Sequence, residues 1–331
     1  MTNFIAWWQS GILFGTVIML GALGEIITQK AGHLNLGVPG LMFLGGFAGF
    51  ASGFLYGNTA NPNPFLLIMI PIIVSVIAAG LGGLLYSFLT VTLKANQNVT
   101  GLALTYVGVG IGSFGGQYIT NIAGSGTYER AQAASELFTA NIANSAGLTD
   151  SFSQMFLSYG FMVYLAIVLA VVAHFILKKT RVGLSLRAIG ESPATADAAG
   201  INVNKYKYLA TIIGAAISGL GGMFYVLVYS NGGWATTNSI EALGWLSVAL
   251  VIFATWRPLN AIWGSYLFAL LYWFYAYSSV VNLKLSTPQS DLLQMLPYVV
   301  TLLVLIFISF RKKKENQPPA SLGLNYFRED R

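Results

Sequence analysis

The chain has 331 residues, of which 55% are apolar and only 8% are charged, a balance that excludes an ordinary water-soluble globular domain. Its net charge of +6 does not call for a nucleic-acid partner, because the basic residues are expected in loops and a tail beside a membrane. The sequence contains no cysteine, so disulfides, thiolate metal sites and cysteine nucleophiles are all excluded.

Nine apolar segments follow one another along the chain, and most of them reach the roughly 20 residues that a membrane-crossing helix needs. They cover residues 4–28, 35–56, 64–93, 99–120, 154–177, 206–230, 240–256, 259–281 and 290–310. The first segment lacks the basic start and the small-residue cleavage site of a secretory signal, so we expect it to be retained as a helix. The pattern predicts an all-α polytopic transmembrane bundle of about nine spans, residues 1–310, followed by a basic tail, residues 311–331.

The basic residues orient these segments through the positive-inside rule. If the tail beginning at Arg311 is cytoplasmic, nine crossings place the N-terminus outside, and only Arg130 and Lys284 of the 17 Lys and Arg residues fall in outside loops. We therefore predict a multi-pass protein of the plasma membrane, with its N-terminus outside and its C-terminus in the cytoplasm. In this topology residues 121–153 form an external loop and residues 180–205 a cytoplasmic one.

A weak internal repeat is visible in two of the segments. Residues 80–83 read Gly-Leu-Gly-Gly with Tyr86 shortly after, and residues 219–222 read the same with Tyr225 shortly after. The two predicted helices run in opposite directions, which is typical of the inverted repeats of transporters. Glycine pairs also recur wherever membrane helices pack closely, so close packing alone is the alternative explanation.

Several kinds of chemistry are missing from the sequence. There is no Gly-x-x-x-x-Gly-Lys-Ser/Thr run, so the chain has no P-loop for ATP. The two histidines, His33 and His174, are far apart at predicted membrane edges, where we expect ordinary interfacial residues and no metal site. Glu25 alone among the acids approaches membrane depth, within reach of Lys30, so no chain of acids indicates proton coupling. We expect no enzymatic activity, no cofactor and no metal.

The second span begins with residues 31–40, Ala-Gly-His-Leu-Asn-Leu-Gly-Val-Pro-Gly. Proline lacks a backbone donor and glycine loosens the backbone, so this start cannot be a regular helix throughout and predicts one broken or re-entrant helix. The stretch resembles the Asn-x-Gly-x-x-Gly start of ABC permeases for simple sugars, nucleosides and branched-chain amino acids, at Asn35, Gly37 and Gly40. It departs from the nucleoside members of that family at Pro39, where they often carry an acid.

The cytoplasmic loop reads Thr-Arg-Val-Gly-Leu-Ser-Leu-Arg-Ala-Ile-Gly-Glu-Ser-Pro over residues 180–193 and continues as a short run to Gly200. Proline at position 193 is suited to starting a helix and Gly200 to ending it in the left-handed conformation, so a rigid helix of about two turns is predicted. The segment looks like the cytoplasmic coupling segment of the same permease family, which implies contact with a separate ATPase. The residues implied in this contact are Arg187, Gly190, Glu191, Pro193, Asp197, Ala199 and Gly200. The alternative is a plain amphipathic connector on the membrane surface.

Two further features concern the solute. The tail residues 317–324 and 326–329 look most like those of the nucleoside branch of bacterial permeases. The chain is also rich in aromatic residues, whose rings either stack on a base or sugar or belong to the aromatic belts at the membrane interfaces. The candidates are Tyr106, Tyr225, Trp234, Trp245, Trp256 and Trp263.

Together these features predict the permease subunit of an ATP-driven ABC importer, which passes a nucleoside or a simple sugar between two permeases near the middle of the membrane. The resemblance implies three partners: ABC ATPase subunits inside, a second permease that is identical or homologous, and an external substrate-binding protein. An uncharged solute needs hydrogen bonds, so Asn35, Asn98 and Thr105 are expected along its path, together with Gly37 and Gly40. Asn and Thr also join membrane helices to one another, which is the alternative for these residues.

Two other classes of protein fit the composition. A secondary carrier would move a small neutral solute without an ATPase, but the intramembrane ion site that it would use is not evident in the sequence. A channel or a membrane assembly factor would not need the inner helix that starts with proline.

Overall fold

The computed structural model describes residues 2–123, 131–234, 237–277, 289, 292–293, 295–311 and 317–327. These residues form a bundle of α-helices and no β-strand. Arg130 and Lys284, the two basic residues expected on the outside, lie outside the described residues, as do the basic residues 312–314 of the tail.

The longer helices overlap the predicted apolar segments, and shorter helices lie between them. In chain order they are α1 (Thr2–Lys30), α2 (Val38–Gly57), α3 (Pro64–Ser87), α4 (Gln97–Ala123), α5 (Gln132–Thr139), α6 (Ile142–Ser145), α7 (Ser151–Phe156), α8 (Phe161–Lys179), α9 (Arg181–Glu191), α10 (Pro193–Ala198), α11 (Val203–Phe224), α12 (Thr237–Phe253), α13 (Pro258–Trp273) and α14 (Leu296–Arg311). Each of the nine apolar segments contains one of the longer helices, so the expected all-α polytopic bundle is confirmed.

Six helical stretches within the described part of the chain are long and apolar enough to cross a membrane. They are Asn3–Lys30, Val38–Gly57, Pro64–Thr92, Gln97–Ile119, Phe161–Lys179 and Val203–Tyr229. The remaining three apolar helices are shorter, with 17 residues in α12 and 16 each in α13 and α14. These three correspond to the last three predicted segments.

The first helix, α1, lies at the centre of the bundle and is buried along most of its length, against α11, α12 and α13. Small residues make this packing possible, because they let two backbones approach closely. A Cβ atom at Gly15 would lie 3.1 Å from the carbonyl oxygen of Ser265 in α13. A Cβ atom at Gly24 would overlap the carbonyl oxygen of Gly214 in α11. The position of α1 therefore depends on its glycines.

Helices α3 and α11, which carry the repeated glycine motif, pack against each other in opposite directions. Gly83 of α3 faces Ala215 of α11. Ala79, one turn earlier in α3, faces Gly219, one turn later in α11. Each helix then continues into a π-helical segment of five residues, Phe88–Thr92 and Tyr225–Tyr229. The motif thus marks two oppositely directed elements of similar shape, and its glycines also provide close helix contact.

Four segments that are distant in sequence meet at one end of the bundle, which we call the basic end: residues 31–37, 93–96, 180–202 and 317–327. Backbone hydrogen bonds join them. The N–H of Gly323 donates to the carbonyl of Gly32 (3.3 Å), and the N–H of Ser321 donates to the carbonyl of Gly190 (2.9 Å). These are the segments that the charge pattern assigns to the cytoplasm.

Candidate functional site

A buried acid holds the loop that follows α1. Glu25 is 1% exposed, and its Oε1 accepts hydrogen bonds from the backbone N–H of Asn35 (3.0 Å) and the side-chain amide of Gln29 (2.8 Å). The side-chain oxygen of Gln29 in turn accepts a hydrogen bond from the indole N–H of Trp256, which follows α12. Among the described residues, Glu25 is therefore bonded to Gln29 and Asn35 and not to Lys30, the neighbour suggested by the sequence.

Asn35 shapes the start of α2. Its buried side chain accepts a hydrogen bond through Oδ1 from the backbone N–H of Gly37 (2.8 Å), which forms an Asx turn. Helix α2 begins at Val38, and Pro39 occupies its first turn, where a missing backbone N–H leaves no hydrogen bond unmade. The broken or re-entrant helix predicted for the second span is not present: the irregular stretch is this turn before the helix, and α2 runs unbroken from Val38 to Gly57 because its proline lies in the first turn.

The two glycines of the motif lie where α2 touches α4. A Cβ atom at Gly40 would lie 2.6 Å from the Cα of Thr105, and one at Gly37 would lie 2.8 Å from a side chain of α4. Thr105 is 1% exposed, and its hydroxyl donates to the carbonyl of Leu36 (3.0 Å). Four of the five residues expected along the solute path thus meet at this contact, Asn35, Gly37, Gly40 and Thr105. In this structure the hydroxyl of Thr105 joins α4 to Leu36, just before α2, and the side chain of Asn35 bonds within the same loop.

The fifth residue, Asn98, lies apart from this contact. It is exposed in the first turn of α4, where its backbone N–H donates to Oδ1 of Asn96 (3.0 Å). Its side chain is therefore on the surface of α4 that does not face α2.

A second set of hydrogen bonds fixes the same loop from the side of α3 and α11. Nδ1 of His33 lies 3.1 Å from Oγ1 of Thr211, and the hydroxyl of Tyr86 donates to the carbonyl of Leu34 (2.6 Å). Burial lowers the pKa of His33 well below its usual value, and nearby lysine charges lower it further, so the imidazole is neutral. His33 is a fully enclosed part of the loop, in contrast to the interfacial residue expected from sequence.

The predicted coupling segment consists of two short helices, α9 and α10. Ser192 ends α9 in an extended conformation, and its hydroxyl caps α10 by accepting a hydrogen bond from the backbone N–H of Thr195 (3.3 Å). Pro193 is the first residue of α10, and Gly200 follows the helix with a φ of +81°. The expected start at Pro193 and the expected left-handed end at Gly200 are both present.

The seven residues expected in the coupling segment differ in exposure. Gly190 is buried, and a Cβ atom there would overlap the carbonyl oxygen of Lys30. Gly190 therefore packs within the chain, against the end of α1. The residues that are exposed or half-buried are Arg187, Glu191, Pro193, Asp197, Ala199 and Gly200.

The tail segment, residues 317–327, packs on both α9 and α10. The backbone N–H and the hydroxyl of Ser321 both donate to the carbonyl of Gly190, at 2.9 Å and 2.7 Å. The hydroxyl of Tyr326 donates to Oδ2 of Asp197 (2.9 Å). The sequence predicted a basic cytoplasmic tail with a likeness to nucleoside permeases, but it did not predict these contacts with α9 and α10.

The tail segment also reaches the loop before α4. The side-chain amide of Asn325 donates to the carbonyl of Lys94 (2.7 Å), and that of Gln97 donates to the carbonyl of Leu324 (3.2 Å). An open groove of about 580 Å³ lies between the tail, α10 and the start of α11, and Phe327 is part of its lining. Because the groove adjoins the exposed coupling residues, both belong to one continuous surface of the basic end.

The aromatic candidates fall into a buried and an exposed group. The buried rings are Tyr225, Trp234 and Trp256. The exposed rings are Tyr106 at 74%, Trp245 at 36% and Trp263 at 78%. Buried rings are enclosed by other side chains of the bundle, so only the exposed three are accessible to a solute in this conformation.

Known transport proteins are similar to this chain over most of its length. The sequence model of the permease component of branched-chain amino acid transport systems matches residues 9–309. A Haloferax volcanii protein, whose name assigns it to glucose ABC transport as a permease, is 31% identical over 95% of this chain and 95% of its own. The nucleoside ABC transporter permease NupC of Lactococcus lactis subsp. cremoris is 28% identical over 96% and 95% of the two chains.

The guanosine ABC transporter permease NupQ of Bacillus subtilis is 28% identical over 89% of each chain. No solved structure matches the chain significantly. The family match covers most of the sequence, including the start of α2 and the coupling segment. The chain therefore belongs to the family of the branched-chain amino acid transport system permease component, and it is a permease subunit of an ABC importer.

Proposed function

We propose that this permease carries a neutral polar solute into the cell, a nucleoside as first choice and a simple sugar as second. Two similar proteins are named for nucleosides or guanosine and one for glucose, and they support these two classes. The residues at the contact of α2 with α4 are uncharged, which suits a solute that is recognised by hydrogen bonds. In this proposal Asn35, Gly37, Gly40 and Thr105 hold α4 beside the path, and Asn98 lies at its inner mouth.

The observation that carries the proposal is the arrangement of the basic end. Helix α10 is short, capped at both ends and attached to the tail segment, so it can move as a rigid body together with its neighbours. In the cytoplasm, its exposed residues and those of α9 would contact a separate ATPase subunit. ATP binding and hydrolysis would then favour one packing of the helices over another, so that access to the path alternates between the two sides.

The remaining partners follow from the same proposal. A second permease, identical or homologous, forms the other half of the path. An external substrate-binding protein delivers the solute to the end of the bundle opposite the basic end, where residues 131–160 fold over the helices. The N-terminus is outside, and the C-terminus lies in the cytoplasm.

Transport by the complete assembly tests this proposal. The protein is purified from its native membranes with its partners and reconstituted, and uptake of labelled guanosine, glucose and leucine is measured with and without ATP. ATP-dependent uptake of guanosine, reduced by an excess of other nucleosides, is the expected result. ATP-independent counterflow by this chain alone would establish a secondary carrier instead, and uptake confined to leucine would contradict the solute class.

Labelling of single cysteines tests the orientation, since the chain has none of its own. Ala198→Cys places a thiol on the exposed surface of α10, and Ala60→Cys places one at the other end of the bundle. In intact cells, a membrane-impermeant maleimide should label Ala60→Cys only, and Ala198→Cys should react after the cells are opened. The reverse pattern would overturn both the orientation and the placement of the ATPase.

A further inference from the structure

The exposed face of α4 differs from those of the other long helices at the periphery of the bundle. Along α3 and α8 the exposed residues are apolar, apart from Lys178 and Lys179 at the end of α8. Such faces suit lipid, because hydrocarbon offers no partner to a polar group. Helix α4 is exposed over a comparable area, but this area is not uniformly apolar.

From Tyr106 onward, the exposed face of α4 divides lengthwise into two sides. One side is apolar or aromatic and consists of Val107, Ile111, Phe114, Tyr118 and Ile122. The other side, which we call the polar stripe, consists of Tyr106, Gly110, Ser113, Gln117 and Asn121, all exposed except the half-buried Ser113. At 100° per residue, the two sets occupy adjacent arcs of about 80° each. Nearer the start of α4, the arc of the stripe carries the exposed apolar residues Val99, Leu102 and Ala103.

A stripe of this length is not suited to lipid. A side-chain amide that faces hydrocarbon without a partner costs several kcal/mol. From Tyr106 to Asn121 the stripe extends over about 22 Å, compared with about 30 Å for the hydrocarbon layer. A hydrogen bond between two helices needs polar residues at one depth only. A stripe that extends over most of the membrane thickness instead meets a polar phase at several depths.

Gly110 leaves open space in the middle of the stripe. The other glycines of α4 face neighbours within the chain; a Cβ atom at Gly108 would overlap Gly40, and one at Gly116 would overlap the ring of Trp234. A Cβ atom at Gly110 would meet no atom of the described residues within 4 Å. Gly110 is therefore not required for packing in this chain, and the space beside it is free for another molecule.

We propose that the polar stripe of α4 is a wall of the solute path, with Tyr106 and Gln117 contacting the solute on either side of Gly110. The ring of Tyr106 is 74% exposed and can stack on a base or on the apolar face of a sugar. The amide of Gln117 can both donate hydrogen bonds to the solute and accept them from it. This inference rests on the proposed function, and it assigns solute contacts to residues that the α2–α4 contact does not include.

Cysteine accessibility tests the inference, and the cysteine-free chain provides a clean background. Gly110→Cys and Gln117→Cys report on the stripe, and Ile111→Cys and Ile77→Cys are matched controls on apolar faces of α4 and α3. In the assembled importer in membranes, a charged water-soluble thiosulfonate should modify the stripe cysteines at least about tenfold faster than the controls, because the reagent does not enter hydrocarbon. Saturating solute should slow the modification of the stripe cysteines.

Equal rates at stripe and control positions would overturn the inference. So would a Gly110→Cys variant that crosslinks to a second permease but is closed to the reagent, because the stripe would then be a dry contact between subunits. Uptake by the unmodified importer is measured in parallel. If it transports a nucleoside or sugar while the stripe cysteines behave like the controls, the inference fails alone; if it transports neither, the proposed function fails.

A second variant tests whether the open space beside Gly110 belongs to the solute path. Gly110→Leu should reduce uptake by about tenfold or more while the ATPase subunit still copurifies, since the new side chain meets no atom within the chain and projects into the path. Ile111→Leu, on the adjacent apolar side, should leave uptake unchanged. If the Gly110→Leu permease does not assemble with its partners, the Gly110→Ala variant is measured instead, and its uptake should be reduced by a smaller factor. Full uptake by an assembled Gly110→Leu importer would overturn the inference.

Discussion

Tyr326 donates its hydroxyl to Oδ2 of Asp197 at 2.9 Å, across 129 residues of sequence. The contact joins the tail segment to the last turn of α10, and the bonds of Ser321 to Gly190 join the same segment to the last turn of α9. Asn325 extends the connection to the loop before α4. Displacement of α9 and α10 would therefore reach α4 through the tail as well as through the chain itself.

Removing the hydroxyl of this tyrosine tests the connection. Tyr326→Phe keeps the ring and loses one hydrogen bond to a carboxylate, which is worth about 1 kcal/mol net at a partly exposed site. We expect solute uptake per ATP hydrolysed to decrease, with little change in the amount of assembled importer. Tyr118→Phe on α4 is the control and should leave the ratio unchanged. If Tyr326→Phe and Tyr118→Phe show the same uptake per ATP hydrolysed, the tail contact is not part of coupling.

The left-handed backbone at Gly200 can be tested apart from any side-chain contact. Its φ is +81°, and a Cβ atom there meets no atom of the described residues within 4 Å, so strain alone decides which residues are tolerated. Gly200→Val should cost about 1–2 kcal/mol locally and displace the end of α10, which uncouples ATP hydrolysis from uptake. Asparagine tolerates this left-handed conformation, so the Gly200→Asn variant should retain coupling. A Gly200→Val importer with normal uptake would contradict the assignment.

The approach of α2 to α4 predicts a large effect from one methyl group. Gly40→Ala would place a Cβ atom 2.6 Å from the Cα of Thr105, where only backbone movement relieves the overlap. We expect a loss of about 2 kcal/mol in stability, measured as a lower unfolding temperature of the purified protein in detergent. Gly80→Ala is the matched control, because its nearest neighbour, Cγ2 of Ile212, is 3.8 Å away. Equal unfolding temperatures for the two variants would contradict the packing described.

The neutral imidazole of His33 predicts a pH dependence of stability. Its pKa in the folded protein lies well below the ordinary value of 6.5. At a pH between these two pKa values, the unfolded chain binds a proton at His33 that the folded chain excludes. The contribution of His33 is full above about pH 6.5 and declines below it by up to about 1.4 kcal/mol per pH unit.

Unfolding temperatures of the wild type and of His33→Gln, measured between pH 8 and pH 5, test this dependence. The wild type should lose stability more steeply than the variant below pH 6.5, because the amide of the variant does not titrate in this range. The readout is the difference in slope, so a uniform destabilisation of the variant does not affect it. Parallel curves would show that His33 is not held neutral.

Hydropathy and local chemistry predicted the features that depend on neighbouring residues. Each apolar segment contains a helix, and the start at Pro193 and the end at Gly200 follow from the conformations that these two residue types favour. Boundaries were less accurate. The fifth predicted span begins at residue 154, whereas α8 begins at Phe161, because Gly160 pairs with Asn141 in an isolated bridge.

Contacts between distant segments could not be predicted in the same way. Lys30 was the nearest charged neighbour of Glu25 in sequence, but the turn after α1 brings the backbone of Asn35 to the carboxylate instead. The burial of Gly190 depends on the tail segment, which lies more than 100 residues further along the chain. For the same reason the sequence did not reveal which side of α4 is open. Those relationships exist only once the helices are packed.

The tail segment has a consequence for biosynthesis. The ribosome completes the coupling helices long before it adds Ser321 and Tyr326, so α9 and α10 of a nascent permease lack the contacts that fix them in the finished one. A chain released before Ser321 is added would insert its spans yet leave α9 and α10 without these bonds. The surface of α9 and α10 is thus completed only after all the spans have been made.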